Sequence, residues 1–181
     1  MKWGFSTICH RIVETAEVRS VELFDFTFTV RAPLTAVADL HRDTRALTWL
    51  TPPPVRVRIR HVEPLAEGSI ADFTLWFGFL PIHWTASHSN VHYEHGFTDT
   101  QVRGPMKRWV HTHTFTDEGG GLSRITEHIE YEHFPGARGL LSRLLFTPFG
   151  LWLTFCYRRY ATRRLRDKRS ANTNYKGQER S

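Results

Sequence analysis

From Val21 to about His133 the chain repeats one pattern seven times: apolar residues at every second position, then residues that turn the backbone. Side chains of a strand point alternately to its two faces, so each run is a strand with one apolar face. The first sets Phe24, Phe26, Phe28 and Val30 against Asp25, Thr27 and Thr29. The second sets Val55, Val57 and Ile59 against Arg56, Arg58 and Arg60, and the third puts Ala71, Phe73, Leu75, Phe77 and Phe79 on one face. The other four cover Ile82 to Tyr93, Phe97 to Arg103, Arg108 to Thr116, and Leu122 to about His133. Glu67-Gly68, His95-Gly96, Gly104-Pro105 and Gly119-Gly120-Gly121 read as the turns between them. Tight turns between successive strands make antiparallel neighbours.

Two interruptions set the topology. After the first strand Pro33 stands where a helix begins, and Val37, Leu40, Leu47 and Trp49 support one or two short helices ending before Pro52-Pro53-Pro54. After Pro135-Gly136 the spacing turns helical, with Leu140, Leu141, Leu144 and Leu145 at steps of three and four. Thr147-Pro148 breaks that run and also suits a new helix start, so a long helix is expected from about Pro148 to Arg166. Strands with one apolar face need a cover, and this helix is the element large enough to give it. The expectation is an α+β domain in β-α-α-β6-α order: a curved seven-stranded antiparallel sheet wrapped around a long C-terminal helix, with space between. Residues 1–20 read as an N-terminal extension, a short helix or mobile arm; 21–168 as the domain; 169–181 as a disordered polar tail.

Charge is concentrated at one place. The chain carries +6, and residues 158–169 hold seven bases (Arg158, Arg159, Arg163, Arg164, Arg166, Lys168, Arg169) against Asp167, so the remainder sums to about zero. A solvated helix end is the first reading of that block and an anionic membrane surface the second; a basic face spread over the domain, as nucleic acid requires, is missing, so no nucleic-acid partner is expected. No stretch reads as the ~20 apolar residues of a membrane helix, and Met1 to His10 lacks the apolar core of a signal peptide. Two cysteines, Cys9 and Cys156, do not make a disulfide framework, and a cytoplasmic monomer or weak dimer is expected.

The segment Gly104-Pro105-Met106-Lys107-Arg108-Trp109-Val110-His111-Thr112-His113-Thr114-Phe115 resembles the Gly-Pro-(aromatic)-x-x-Trp-x-His-x-His-x-Phe signature of one branch of the SRPBCC (START-like, polyketide cyclase/dehydrase) superfamily. Leu50 to Pro53, Pro81 to Trp84, Ile125 to Tyr131 and Phe155 to Arg158 match the same pattern in the same order. Met106, Glu127 and His88 depart from it: an aromatic, an Asp and an aliphatic are usual there. The resemblance implies a helix-grip fold with an internal cavity for a hydrophobic ligand such as a lipid, an isoprenoid or an aromatic, polyketide-like molecule.

Period-two geometry places candidate residues in that cavity. Phe73, Leu75, Phe77 and Phe79, with Trp84 and with Trp152 and Phe155 of the long helix, would form an apolar half. Trp109, His111, His113 and Phe115 share one strand face; Phe97, Asp99 and Gln101 share another; Glu127, Ile129 and Tyr131 lie on the last strand. The polar members of this set, Asp99, Gln101, His111, His113 and Glu127, would form a hydrogen-bonded row, since buried carboxylates and imidazoles are costly unpaired. Such a row could brace the sheet, orient the polar end of a ligand, or move protons for a cyclisation or dehydration, with His111, His113, Asp99 and Glu127 as catalytic candidates. Two His two apart with Asp99 or Glu127 could also suit zinc, but neither a metal nor a cofactor is expected. Nucleophilic and phosphate-binding chemistry find no support: there is no Gly-x-Ser-x-Gly elbow, and Gly119 to Gly121 precede a strand rather than a helix.

Overall fold

The computed structural model describes residues 9–15, 19–43 and 45–178, with side chains over 21–43 and 45–164. Its elements are β1 (Cys9–Thr15), β2 (Arg19–Val30), α1 (Leu34–Arg42), α2 (Ala46–Leu50), β3 (Arg56–Val62), β4 (Ile70–Phe77), β5 (Leu80–His92), β6 (Gly96–Arg103), β7 (Arg108–Gly119), β8 (Leu122–Glu132), a 3-10 turn (Gly136–Gly139), α3 (Leu140–Leu145) and α4 (Pro148–Gln178). All the strands form one antiparallel sheet in the order β1-β2-β8-β7-β6-β5-β4-β3. The seven expected strands are β2 to β8, and the long helix lies over their apolar face.

Three expectations change. The N-terminal extension contributes an eighth strand: Cys9–Thr15 pairs backbone to backbone with Arg19–Asp25. His10, Ile12 and Glu14 carry too weak an alternation to announce this, because an edge strand is held by main-chain bonds on one side. The long helix does not stop near Arg166 but runs to Gln178 through the stretch read as a disordered tail. No proline interrupts it there, so the helical hydrogen-bond ladder can continue. Gly136–Arg164 does have the length and composition of a membrane-crossing helix. Here its inner face, through Phe146, Leu151 and Phe155, is buried against the domain.

The core lies where that inner face meets the sheet. Phe24, Phe26, Phe28 and Val30 of β2 are buried with Ile125, Ile129 and Tyr131 of β8. The ring of Phe155 stands 5.4 Å from Phe24 and 5.9 Å from Phe26. Burying a side chain of this size contributes roughly 1.5–3 kcal/mol. At the helix break Thr147 caps α4, its Oγ1 accepting the Gly150 N–H at 3.0 Å. The break turns Phe146 inward, towards Trp84 at 5.8 Å and Trp109 at 5.9 Å. At the far edge, β3 keeps Arg56, Arg58 and Arg60 exposed, which blunts an open strand edge.

Candidate functional site

The sheet and α4 do not close on each other. A cavity of about 240 Å³ remains between them, with α1 and α2 along one side. Phe73, Leu75, Phe77, Trp84 and Trp109 line the sheet side; Phe146, Leu151 and Phe155 line the helix side. Two pairs of rings stiffen the sheet wall: Phe73 stacks on Trp84 at 6.2 Å, and Trp84 meets Trp109 edge-on at 5.3 Å. Arg42, Asp43 and Glu63 lie at the partly exposed rim.

The other end is polar. The register places His113 opposite Glu127 on β8 and opposite Phe97 on β6, and His111 opposite Asp99. His111 Nε2–H donates to Glu127 Oε2 at 2.8 Å. His113 Nε2–H donates to Asp99 Oδ2 at 3.1 Å, and its Nδ1 stands 2.7 Å from Glu127 Oε2. That second approach is close but badly angled for a hydrogen bond, so it is an electrostatic contact. His88 Nε2 extends the chain to Asp99 Oδ1 at 3.0 Å, and His88 Nδ1 reaches the Ser69 carbonyl oxygen at 3.0 Å. The result is a continuous line, Ser69–His88–Asp99–His113–Glu127–His111. His111, His113 and Glu127 are buried, Glu127 most of all at 1% exposure, while His88 and Asp99 are half-buried.

Charges follow from this arrangement. Burial disfavours an imidazolium at His113, but Glu127 and Asp99 on either side outweigh it and raise its pKa to about 9. Burial also acts on His111, and the neighbouring positive His113 adds to it, lowering His111 to about 4. His41 of α1, whose ring lies 5.9 Å from that of His113, is lowered to about 4 for the same two reasons. Burial opposes ionisation of Asp99, yet the hydrogen bonds from His113 and His88 hold it well below the usual carboxylate range. Glu127 is likewise held low against burial, first by the charge of His113. His88 is raised, its bond to Asp99 prevailing over burial.

Among the described residues, two groups bring one donor atom each within 4.8 Å of the others: His41, His113 and Glu127, and Asp99, His111 and His113. Both pass through His113. Its two nitrogens already face carboxylates and it favours the protonated form, which opposes a cation at either place.

Several sequence candidates lie elsewhere. Phe79 is 93% exposed: the strand ends at Phe77, and Gly78, at φ +64°, turns the chain before the alternation reaches it. Gln101 braces a turn, its side chain bonding both the carbonyl and the N–H of Met106 at 2.8 and 3.3 Å. Trp152 is not on the cavity wall: it is half-buried against the edge of the core and stacked on Phe149 at 5.7 Å. Phe115 is buried beside His41 and lines a smaller pocket of about 170 Å³ next to α1. Ile129 and Tyr131 are core, with the Tyr131 hydroxyl donating to Glu22 at 2.9 Å. Glu127 stands behind the two histidines rather than on the cavity wall. Sequence reasoning missed His41, whose part depends on how α1 docks, and Arg158, which was counted with the solvated bases but lines the cavity. In the sequence His88 stands out only as a departure from the pattern the chain resembles. The departure has a cause, since an aliphatic side chain could not bridge Ser69 and Asp99.

No family model matches the chain, and no curated protein matches it. Solved structures do. An aromatase/cyclase from a Streptomyces species is 13% identical, with 83% of this chain covering 96% of that one at a TM-score of 0.65. Norcoclaurine synthase from Thalictrum flavum, in complex with dopamine and hydroxybenzaldehyde, is 17% identical over 83% of this chain and 88% of that one, with a TM-score of 0.61. A protein from Mycobacterium smegmatis is 16% identical over 90% and 98%, with a TM-score of 0.63. The fold is a helix-grip. At these identities the likeness carries the architecture alone, and the helix-grip domain's own cavity has to carry its chemistry.

Proposed function

We propose that this helix-grip domain, an SRPBCC protein of the Trp-x-His-x-His-x-Phe kind, binds and carries a small, largely apolar molecule that has one polar end. The observation behind this reading is the open space between sheet and helix, apolar on most of its wall, with several Phe and Trp rings, and polar at one end. Its volume of about 240 Å³ is somewhat below the usual range of small-molecule pockets, roughly 300–1,000 Å³. That favours one or two rings over a sterol or a long lipid chain. The aromatic ligands in the norcoclaurine synthase structure are in keeping with such a guest. An alternative is cyclase- or dehydratase-type chemistry by His111 and His113. It draws on their displaced pKa values at a cavity wall.

Native mass spectrometry of the purified chain, followed by solvent extraction, tests the carrier reading. A small aromatic or apolar compound is expected in the wild type and not in Ala86→Phe, which fills the cavity from a buried wall position. An empty wild type that also fails to enhance the fluorescence of anilinonaphthalene sulfonate would sink it. Chemical change in a compound recovered after incubation would favour the enzymatic alternative.

We also propose a peripheral contact with anionic membranes. Leu140, Leu144, Phe149 and Leu153 are exposed on α3 and α4, beside the exposed Arg138 and Arg143. Phe79 sits at the tip of the neighbouring hairpin, two residues from Phe77, whose ring meets Phe146 at 6.1 Å. Apolar side chains rimmed by arginines suit an interface with acidic lipid headgroups.

A further inference from the structure

Arg158 is the cavity residue whose chemistry the site leaves unused. It projects from α4 into the polar end and is half-buried, with its Nε wholly shielded and without a hydrogen-bond partner. Its guanidinium carbon lies 4.8 Å over the ring of Phe155. The two acids nearest in effect, Asp99 and Glu127, attract its charge from a distance. Both are already engaged: Asp99 by His88 and His113, Glu127 by His111 and His113, at 2.7 to 3.1 Å. A guanidinium carries five N–H donors in a planar fork, and donors shut away from water need acceptors. The polar end therefore presents a cation with open donor positions beside carboxylates that are satisfied.

We propose that Arg158 is the receptor for a carboxylate on the cavity's ligand. The inference rests on the carrier reading above and adds the chemical class of the polar end. A carboxylate matches the fork in shape and can accept two parallel hydrogen bonds. A dianion such as a phosphate monoester fits worse, because Asp99 and Glu127 already set negative charge at the polar end. The apolar wall takes the ring system, and the Phe155 ring, 4.8 Å from the guanidinium carbon, supports the cation from one side.

The test uses two guests of one shape, naphthoate and its neutral amide, naphthamide, titrated calorimetrically into the full-length chain at neutral pH. In the wild type naphthoate should bind at least about tenfold more tightly than naphthamide. In Arg158→Met the ratio should collapse to near one, and Arg158→Lys should restore part of it, since a point charge replaces the fork. Circular dichroism and melting curves establish that each variant is folded, and binding of naphthamide confirms an intact cavity. Equal affinities in the wild type, or an unchanged ratio in Arg158→Met, overturn the assignment to Arg158 and leave the carrier reading standing. Failure of both guests to bind the wild type removes the cavity reading, and this inference with it.

Discussion

The buried histidines carry opposite consequences for stability on the two sides of neutrality, His113 on one and His111 and His41 on the other. The pKa of His113 is raised in the fold to about 9 from about 6.5, so its contribution is complete below about pH 6.5 and is lost as the pH climbs towards 9. His111 and His41 are lowered to about 4, so theirs are complete above about pH 6.5 and are lost as the pH falls towards 4, where the unfolded chain takes up protons the folded one refuses. Asp99 and Glu127, held low, add to the loss in acid. Melting temperature measured from pH 4 to pH 10 should peak near pH 6 to 7 and decline on both sides. A flat plateau up to pH 9 would mean that His113 is not held as a cation. At this scale the sequence was informative about composition and silent about pairing. Period two placed His111 and His113 on one face. Which acid each would meet depended on the register between β6, β7 and β8.

Among the elements, the approach of β6 to β7 is what holds the polar row together. Gly96 opens β6 at φ +123°, and a Cβ there would lie 1.8 Å from the His113 carbonyl oxygen. Gly96→Ala should therefore strain the backbone and push β7 away, at a cost of about 2 kcal/mol or more in urea denaturation. The imidazole resonances of His113 should shift with it in NMR spectra. An alanine variant as stable as the wild type would show that the two strands have room to part. The strands were legible because their one-sided burial writes a period of two into the sequence. Strand β1 was not, because main-chain pairing at an edge asks little of side chains. Phe79 misled for a related reason: alternation in sequence persists through a turn, whereas alternation in space stops at Gly78.

For the molecule as a whole, the same helical stretch closes the cavity and offers an apolar outer face. Leu144 is 73% exposed and Phe149 67%, more than a helix facing only water would favour. Liposome flotation should recover the chain with vesicles containing acidic lipid at low salt, and less at high salt. Phe149→Ser with Leu144→Ser should abolish recovery while the melting temperature stays within a few degrees. Recovery that ignores lipid charge and salt would count against the contact. The order of strands β2 to β8 and of the helices among them, their antiparallel pairing and the covering helix were determined by the sequence alone, because apolar periodicity and turn residues are local properties of the chain. The gap under the helix, the joining of His88 and Asp99 to the two histidines, and the turning of Arg158 inward were decided only in the tertiary structure. Each depends on the distance and angle at which distant segments meet, and no local pattern in the chain encodes that.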